Sequence, residues 1–291
     1  MNLLNLLAHL LSGLLAGYAS WMSLREGTPW AFGGGFLATL FSTGIFSACF
    51  VGFSFSLLSL GNEMRYSKAL RYFSTGAATG LAIPMTGAVL FSLVFDVMDL
   101  HHRFPDIVIR CLWWVTLSGS IAGARGIALG NSKAGMISFL GLAPGLLLAG
   151  LLFDRFFVPR ELFLVGSIVL GLAAGSGLGI GLELLKEAWL ESSSSSLLRA
   201  QYILETEEFT AGRGDHFDMS LSEGPKNRFV IIEKEGIHFI EVLADEPLVL
   251  SGGGRFRYRV LCEGDAIIVD DQVWIYHTRY MRTRDALPQA V

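Results

Sequence analysis

Residues 183–196 read Glu183-Leu-Leu-Lys-Glu-Ala-Trp-Leu-Glu-Ser-Ser-Ser-Ser-Ser196, and the character of the chain changes within them. Residues 1–183 carry 8 acidic and 10 basic side chains, a net charge of +2. Residues 184–291 are far more densely charged, with 18 acidic and 12 basic side chains and a net charge of −6. The overall charge of −4 therefore describes neither part. We predict a transmembrane domain over 1–183, a junction with a Ser-rich loop over 184–200, a β-sandwich over 201–280 whose first strand starts as early as 189, and a tail over 281–291.

The part before this junction has the composition of a membrane protein. The whole chain is 52% hydrophobic and only 16% charged, whereas a soluble domain is about one quarter charged. A helix that spans a bilayer needs about 20 mostly apolar residues. The first apolar stretch lacks a basic leader, so we interpret it as a retained helix rather than a signal peptide. We predict an α-helical bundle of six transmembrane helices, at 2–22, 34–60, 74–96, 107–125, 134–153 and 162–182.

The basic residues between these helices predict an orientation, because cytoplasmic loops carry an excess of Lys and Arg. One side of the membrane receives six: Arg65, Lys68, Arg71, Arg125, Lys133 and Lys186. The other side receives four: Arg25, Arg103, Arg155 and Arg160. We therefore predict an integral membrane protein with both termini in the cytoplasm.

Glycine is abundant, with 34 residues, and much of it recurs at spacing four on single helix faces. The faces are Gly76/Gly80, Gly141/Gly145 and Gly171/Gly175/Gly179. Small residues let helices approach closely in lipid, where hydrophobicity does not drive their association. These faces predict either tight seams within the bundle, a glycine-lined pore, or a surface for a homo-oligomer. The recurrence of Leu-Gly-Asn at 60–62 and 129–131 also indicates that helices 3–4 and 5–6 are two copies of one hairpin.

The helices offer no catalytic constellation. We expect no acid or base at the centre of any span, and we expect Arg110, Arg125 and Glu183 to reach the membrane interface. No phosphate-binding loop and no Cys-x-x-Cys occurs in the chain. The loop 96–106 contains three acids and two histidines, a composition typical of a polar turn and also of a divalent-cation site. We favour the turn, and we predict a protein that is not an enzyme and has no cofactor and no metal.

After residue 200 the pattern becomes that of short strands between turn signals. Nine candidate strands lie at 201–204, 209–211, 217–221, 228–234, 237–243, 247–250, 256–261, 265–269 and 272–277. So many short strands without an intervening helical period predict an all-β sandwich.

Several motifs of this sandwich are similar to those of forkhead-associated (FHA) domains. Thr210-Ala-Gly-Arg213 and Phe217-Asp-Met-Ser-Leu221 resemble that family's Ile-Gly-Arg and Asp-Ile-x-Leu. Gly224-Pro-Lys-Asn-Arg-Phe229 stands where the family has Ser-Arg-x-His, and Leu261-Cys-Glu-Gly-Asp265 looks like Leu-x-x-Gly-Asp. The chain as a whole resembles bacterial membrane proteins that join Gly-rich hairpins to a cytoplasmic FHA domain. That resemblance implies the bacterial inner membrane as its location.

The FHA resemblance implies a peptide-binding site in the loops, and most family FHA domains read phosphothreonine there. Arg213 matches the family's phosphate-contacting arginine. Lys226 replaces its phosphate-binding serine, and Phe229 replaces its structural histidine. The nearest counterpart of its backbone-holding Asn-Gly is Ser251-Gly252. The candidate site residues are therefore Arg213, Lys226, Asn227, Arg228 and Ser251, which favour a degenerate FHA domain used for protein docking over a strict phosphothreonine reader.

Two functions stay open at this point. The first is a non-enzymatic membrane scaffold or regulatory subunit whose β domain recruits a protein into a membrane complex. The second is a small channel or transporter that its β domain regulates. Partners in either case are proteins and the lipid bilayer, whereas the acidic C-terminal part argues against nucleic acid, which requires a basic surface.

Overall fold

The computed structural model describes residues 2–26, 36–63, 66–98, 104–153, 162–193, 200–204, 208–214, 217–221, 227–243, 248–250, 255–269 and 272–279. The chain divides into two compact units. The main part of the first is Leu3–Gly61 and Ala69–Leu185, and the main part of the second is Lys186–Val291. The first unit is helical and the second is a β-sandwich.

The described residues of the first unit form six helices, which lie where the apolar pattern predicts helices. They are α1 (Leu3–Glu26), α2 (Phe36–Glu63), α3 (Tyr66–Val97), α4 (Asp106–Leu129), α5 (Ser132–Leu152) and α6 (Phe163–Leu185). Five contain apolar segments long enough to cross a membrane: Leu3–Met22, Ala69–Phe95, Asp106–Leu129, Ser132–Leu152 and Phe163–Leu185. In α2 the described apolar segment, Ser42–Leu58, is shorter than such a span. Composition and length thus support five spans among the described residues rather than the six expected.

The Leu-Gly-Asn sequence at 129–131 ends one helix and begins the next. Gly130 adopts a left-handed conformation with φ of 66°, which glycine reaches at little steric cost and which commonly closes a helix. The Asn131 side chain accepts a hydrogen bond of 2.7 Å from the Lys133 backbone N–H and so caps α5. The matching sequence at 60–62 lies within α2 instead. The Leu-Gly-Asn sequence therefore ends a helix at 129–131 but not at 60–62, so the two copies of the predicted hairpin repeat differ there.

Glycines form the seam between α1 and α6. A Cβ atom on Gly171 would overlap the carbonyl group of Gly13, and a Cβ atom on Gly13 would overlap that of Gly171. Gly175 packs in the same way on the carbonyl group of His9. Because backbone meets backbone along this line, any side chain at these glycines requires the helices to move apart.

The other predicted glycine faces are covered in the same manner. Gly141 of α5 packs on α6, where its Cβ would lie 2.8 Å from the Gly177 carbonyl oxygen. Gly80 of α3 packs on α2, where its Cβ would lie 2.6 Å from the Ser47 carbonyl oxygen. These faces form seams within one chain, and a homo-oligomer through them stays a prediction.

The described residues of the second unit form eleven strands, two more than the nine candidate strands of the sequence pattern. They are β1 (Ala188–Ser192), β2 (Gln201–Ile203), β3 (Glu208–Gly212), β4 (Met219–Ser220), β5 (Asn227–Lys234), β6 (Ile237–Val242), β7 (Leu248–Leu250), β8 (Arg255–Phe256), β9 (Tyr258–Val260), β10 (Ala266–Val269) and β11 (Gln272–Thr278). One sheet has the order β2-β1-β11-β10-β7-β8, and the other has the order β4-β3-β5-β6-β9. We call them the first sheet and the second sheet.

Strand β1 lies inside the segment that the sequence assigned to a junction. It is a central strand, paired with β2 on one side and β11 on the other. Trp189 lies opposite His277, and the two rings stack with centroids 5.2 Å apart. The Lys186 ammonium lies 4.2 Å from the centre of the Trp189 ring, close enough for a cation–π interaction. The sandwich therefore begins at once after α6, and its first strand ends on Ser192, the first residue of the serine run.

The two sheets enclose one hydrophobic core. Inward positions alternate along β6, where His238, Ile240 and Val242 are buried. The Tyr276 hydroxyl of the first sheet lies 2.9 Å from the His238 Nδ1 atom of the second sheet, so a polar contact joins the sheets within the core. Burial raises the pKa of the Tyr276 hydroxyl well above its ordinary value, which keeps this group neutral.

Candidate protein-docking site

The loop after β3 presents the first predicted site residue, Arg213. The carbonyl group of Gly212 accepts a hydrogen bond of 2.8 Å from the Leu221 N–H. The Ser220 hydroxyl donates a hydrogen bond of 2.8 Å to the Gly214 carbonyl oxygen. These bonds tie the loop to β4 on both sides of Arg213, whose side chain is exposed. The backbone thus holds an exposed guanidinium group at one end of the second sheet.

Arg228 stands at the same end of this sheet, on a β-bulge. Ala211 pairs with Phe229, but Gly212 pairs with Asn227, so Arg228 faces no residue of β3. A bulge of this kind bends a strand and redirects a side chain. Among the described residues the Arg228 side chain makes no hydrogen bond or ion pair, and its Nε atom is buried without a partner. The irregular register therefore brings residues 227–228 beside the Arg213 loop.

The remaining predicted site residues divide into two groups. Asn227 contributes the backbone pairing with Gly212 described above. Lys226 and Ser251 lie outside the described residues, so their part in the site stays a prediction. Phe229, which replaces a histidine of the FHA pattern, is a core residue with 1% of its surface exposed.

Two further motif residues have structural roles. Asp218 accepts hydrogen bonds from the Thr210 N–H and hydroxyl groups, at 2.7 and 2.9 Å, and so fastens the segment before β4 to β3. Asp265 accepts a 2.9 Å hydrogen bond from the Cys262 N–H and lies 3.6 Å from the Arg259 guanidinium. Gly264 before it has a φ of 82°, a conformation that favours glycine. The Gly-Asp motif thus closes the turn between β9 and β10.

No family model and no curated protein matches the chain. Solved structures to which it is similar include an FHA domain from a study of phosphothreonine-dependent FHA interactions, at 15% identity, with a TM-score of 0.29, over 33% of this chain and 99% of that one. The FHA domain of the Chlamydia trachomatis protein CT664 is similar at 14% identity, with a TM-score of 0.28, over 31% and 96%. Mycobacterium tuberculosis EmbR, solved with a low-affinity phosphopeptide, is similar at 12% identity, with a TM-score of 0.29, over 94% of this chain and 72% of that one.

The helical unit holds a group of buried polar side chains. His9 of α1 is fully buried, and neither ring nitrogen has a hydrogen-bond partner among the described residues. Arg125 of α4 is 5% exposed, and its Nη1 atom donates a 2.8 Å hydrogen bond to the Ser138 hydroxyl of α5. Its guanidinium carbon also lies 5.5 Å from the centre of the Phe55 ring of α2. A buried polar centre therefore lies among these helices.

This centre corrects two expectations. Arg125 is not exposed at the surface of the bundle, because Ser138 and the Phe55 ring enclose it. Glu183 is likewise buried, with 6% of its surface exposed. An ionisable side chain also lies within an apolar span, since His9 belongs to the segment Leu3–Met22. One histidine changes the mean hydropathy of a 20-residue apolar segment only slightly. The apolar pattern therefore predicted a membrane span there without indicating a buried ionisable side chain. The described residues contain no group that could hold a metal ion, and residues 99–103 of the predicted cation loop lie outside them.

We expect the substitution His9→Leu to leave the helical unit as stable or more stable. A buried polar group without a partner costs about 1–3 kcal/mol, and leucine has a similar volume without polar atoms. Thermal unfolding of the full chain in detergent measures the effect. His9→Lys is the contrasting variant, which places a second charge in the bundle and should lower the unfolding temperature strongly. A clear loss of stability in His9→Leu would mean that the imidazole has a structural partner.

Proposed function

We propose that this protein is a non-enzymatic membrane scaffold or regulatory subunit that docks a protein partner through its FHA-like domain. The observation that carries this proposal is the pair of arginines, Arg213 and Arg228, presented at one end of the second sheet in a chain that also has five helices long and apolar enough to cross a membrane among its described residues. Arginine is among the residues that most often dominate binding energy at protein interfaces. The helices keep the protein in the bilayer, and the sandwich selects what joins it there.

The proposal includes docking without a strict requirement for phosphothreonine. A phosphate site needs several converging donors, of which arginine forks are the strongest. Arg213 matches the FHA pattern, but lysine and phenylalanine replace that pattern's serine and histidine at positions 226 and 229. The donor set of a phosphothreonine reader is thus incomplete, whereas an arginine-rich loop still suits a protein surface of opposite charge.

Purification from the native host tests the proposal. We expect the detergent-solubilised protein to co-elute with a defined partner chain, and Arg213→Ala to reduce that partner at least about tenfold, as loss of an interface hot spot does. Lys234→Ala, an exposed change at the far end of β5, is the matched control. Phosphatase treatment before the final column should leave the partner bound. A protein that elutes alone as a monomer would remove the scaffold function.

The buried polar centre favours a second function, a small channel or transporter. Ionisable residues within a membrane are costly and often mark pathways for ions or substrates. His9, with its two unpartnered ring nitrogens, is the described residue that fits this function best. Reconstituted liposomes should then show solute or ion flux above an empty control, and His9→Leu should abolish the flux without loss of folded protein. Absence of flux for the tested ions and solutes would count against this alternative.

A further inference from the structure

The outer face of the second sheet carries a set of residues that the motif comparison does not identify. Phe229 and Val242 are paired and point into the core. Arg228 precedes Phe229 and Leu243 follows Val242, and successive side chains alternate between the two faces of a sheet, so Arg228 and Leu243 lie on the outer face. The Leu243 N–H donates a 2.9 Å hydrogen bond to the Arg228 carbonyl oxygen, which places these two residues directly opposite each other. Leu243 is 51% exposed. A guanidinium group and an exposed leucine are therefore neighbours at this end of the sheet.

Tyr258 extends this surface onto the edge strand β9. It pairs with Glu241 on the outer face, stacks on Phe239 with ring centroids 5.7 Å apart, and is 56% exposed. Together with the Arg213 loop, these residues form what we call the arginine–leucine patch, defined as Arg213, Arg228, Leu243 and Tyr258. Arginine and tyrosine are enriched at the centres of protein interfaces, and an exposed apolar side chain beside them provides an anchor.

The charge of the patch differs from that of the rest of the domain. Residues 184–291 have a net charge of −6, yet Arg213 and Arg228 both stand at the end of the sheet where Gly212 pairs with Asn227. Glu241, which pairs with Tyr258, is an acidic side chain on the same face. Among the residues that the structure describes, the Nε atom of Arg228 has no hydrogen-bond partner, and guanidinium groups form their strongest hydrogen bonds with anionic acceptors. Charge complementarity therefore indicates that the patch receives a segment with acidic side chains.

We propose that the arginine–leucine patch binds an acidic, unphosphorylated peptide segment in which a carboxylate side chain stands beside an apolar one. This inference rests on the proposed docking function and deepens it by giving the chemistry of the partner. The carboxylate accepts hydrogen bonds from the guanidinium groups of Arg213 and Arg228, in the bidentate geometry that arginine favours. The apolar side chain covers Leu243 and Tyr258. Arg228 thus selects the partner by charge and the leucine–tyrosine pair by apolar contact.

A random 12-residue peptide display library tests this, with the full chain in lipid nanodiscs as bait. We expect the selected peptides to be enriched in Asp or Glu next to Leu, Ile, Val or Phe. A synthetic peptide of the selected sequence should bind Arg228→Glu at least about tenfold more weakly, and a version with Lys at the acidic positions should bind Arg228→Glu better than the wild type. Lys234→Glu, the same charge reversal at the other end of β5, should leave binding unchanged. Leu243→Ser is a second variant and should also weaken binding. It tests the patch independently, in case Arg228→Glu disturbs the strand.

Three results would overturn the inference. The first is a selection without acidic enrichment, the second is equal loss of binding in Lys234→Glu, and the third is binding of phosphothreonine peptides alone in a parallel titration. These results leave the docking function itself testable. If a native partner co-purifies and Arg228→Glu does not reduce it, the protein docks through another surface. If no partner co-purifies but the selected acidic peptide binds as expected, the patch is real and the scaffold function is wrong.

Discussion

Replacing Gly171 by alanine should separate α1 from α6 and destabilise the helical unit by at least about 2 kcal/mol, as overpacking of a closed core does. The added Cβ atom overlaps the carbonyl group of Gly13, which is backbone and can move only if the helices part. Two further glycines on the same line, Gly17 and Gly175, prevent a local adjustment because they too meet backbone. Thermal unfolding and size-exclusion profiles of the full chain in detergent measure the loss.

Gly123 of α4 provides the matched control, because a Cβ atom there meets no atom within 4 Å. The same change, Gly123→Ala, should be neutral or stabilising by up to about 1 kcal/mol, since alanine restricts the unfolded chain more than glycine and favours the helix. The two substitutions are chemically identical and have opposite expected signs. Equal stability of Gly171→Ala and Gly123→Ala would show that the α1–α6 seam is not in backbone contact.

Replacing Phe229 by alanine should destabilise the FHA-like domain by about 3–5 kcal/mol, the usual cost of removing a buried phenylalanine. Phe229 is 1% exposed and points into the core between strands β3 and β6, opposite Ala211 and Val242. A loss of this size is a large share of the roughly 5–15 kcal/mol that stabilises a typical domain. Hydrogen exchange with mass spectrometry on the full chain should show faster exchange in the β strands and unchanged exchange in the helices.

Tyr258→Ala is the control for this measurement. Tyr258 lies on the outer face of the same sheet and is 56% exposed, so its loss removes one ring contact with Phe239 and leaves no cavity. We expect a cost of about 1 kcal/mol or less. If Tyr258→Ala and Phe229→Ala accelerated exchange equally, the assignment of inner and outer faces in the second sheet would be wrong.

The strand pattern predicted the class of the second domain but not its whole sheet. The run 228–234 agrees with β5 (Asn227–Lys234), and the run 237–243 agrees with β6 (Ile237–Val242), because both are apolar-rich runs of full strand length on either side of the turn at Glu235-Gly236. Strand β1 was less visible. Its five residues follow an apolar helix directly, so local composition describes them as a junction, and only their pairing with β11 makes them a strand.

In the candidate site, too, some residues were predictable from local sequence and others were placed only by strand pairing. Arg213 was predicted from a local motif, and the loop that holds it is closed by bonds within ten residues of it. The position of Arg228 beside it depends on one extra residue in the register between β3 and β5, which no local pattern encodes. Leu243 follows β6 and comes opposite Arg228 through a backbone hydrogen bond, whereas Tyr258 of β9 reaches this face of the sheet by pairing with Glu241.

By itself the sequence determined the properties that add up along the chain. Apolar length, charge density and glycine spacing are sums or periods over consecutive residues, and they sufficed for an apolar helical part, an acidic β part and the helix faces that pack closely. The tertiary structure alone decided which surfaces meet. It joined the glycines of α6 to those of α1 and α5 within one chain, enclosed Arg125 beside Ser138, and placed Arg228 on a bulge. The physical reason is that burial and partner choice are set by contacts between residues far apart in sequence, which composition and periodicity do not record.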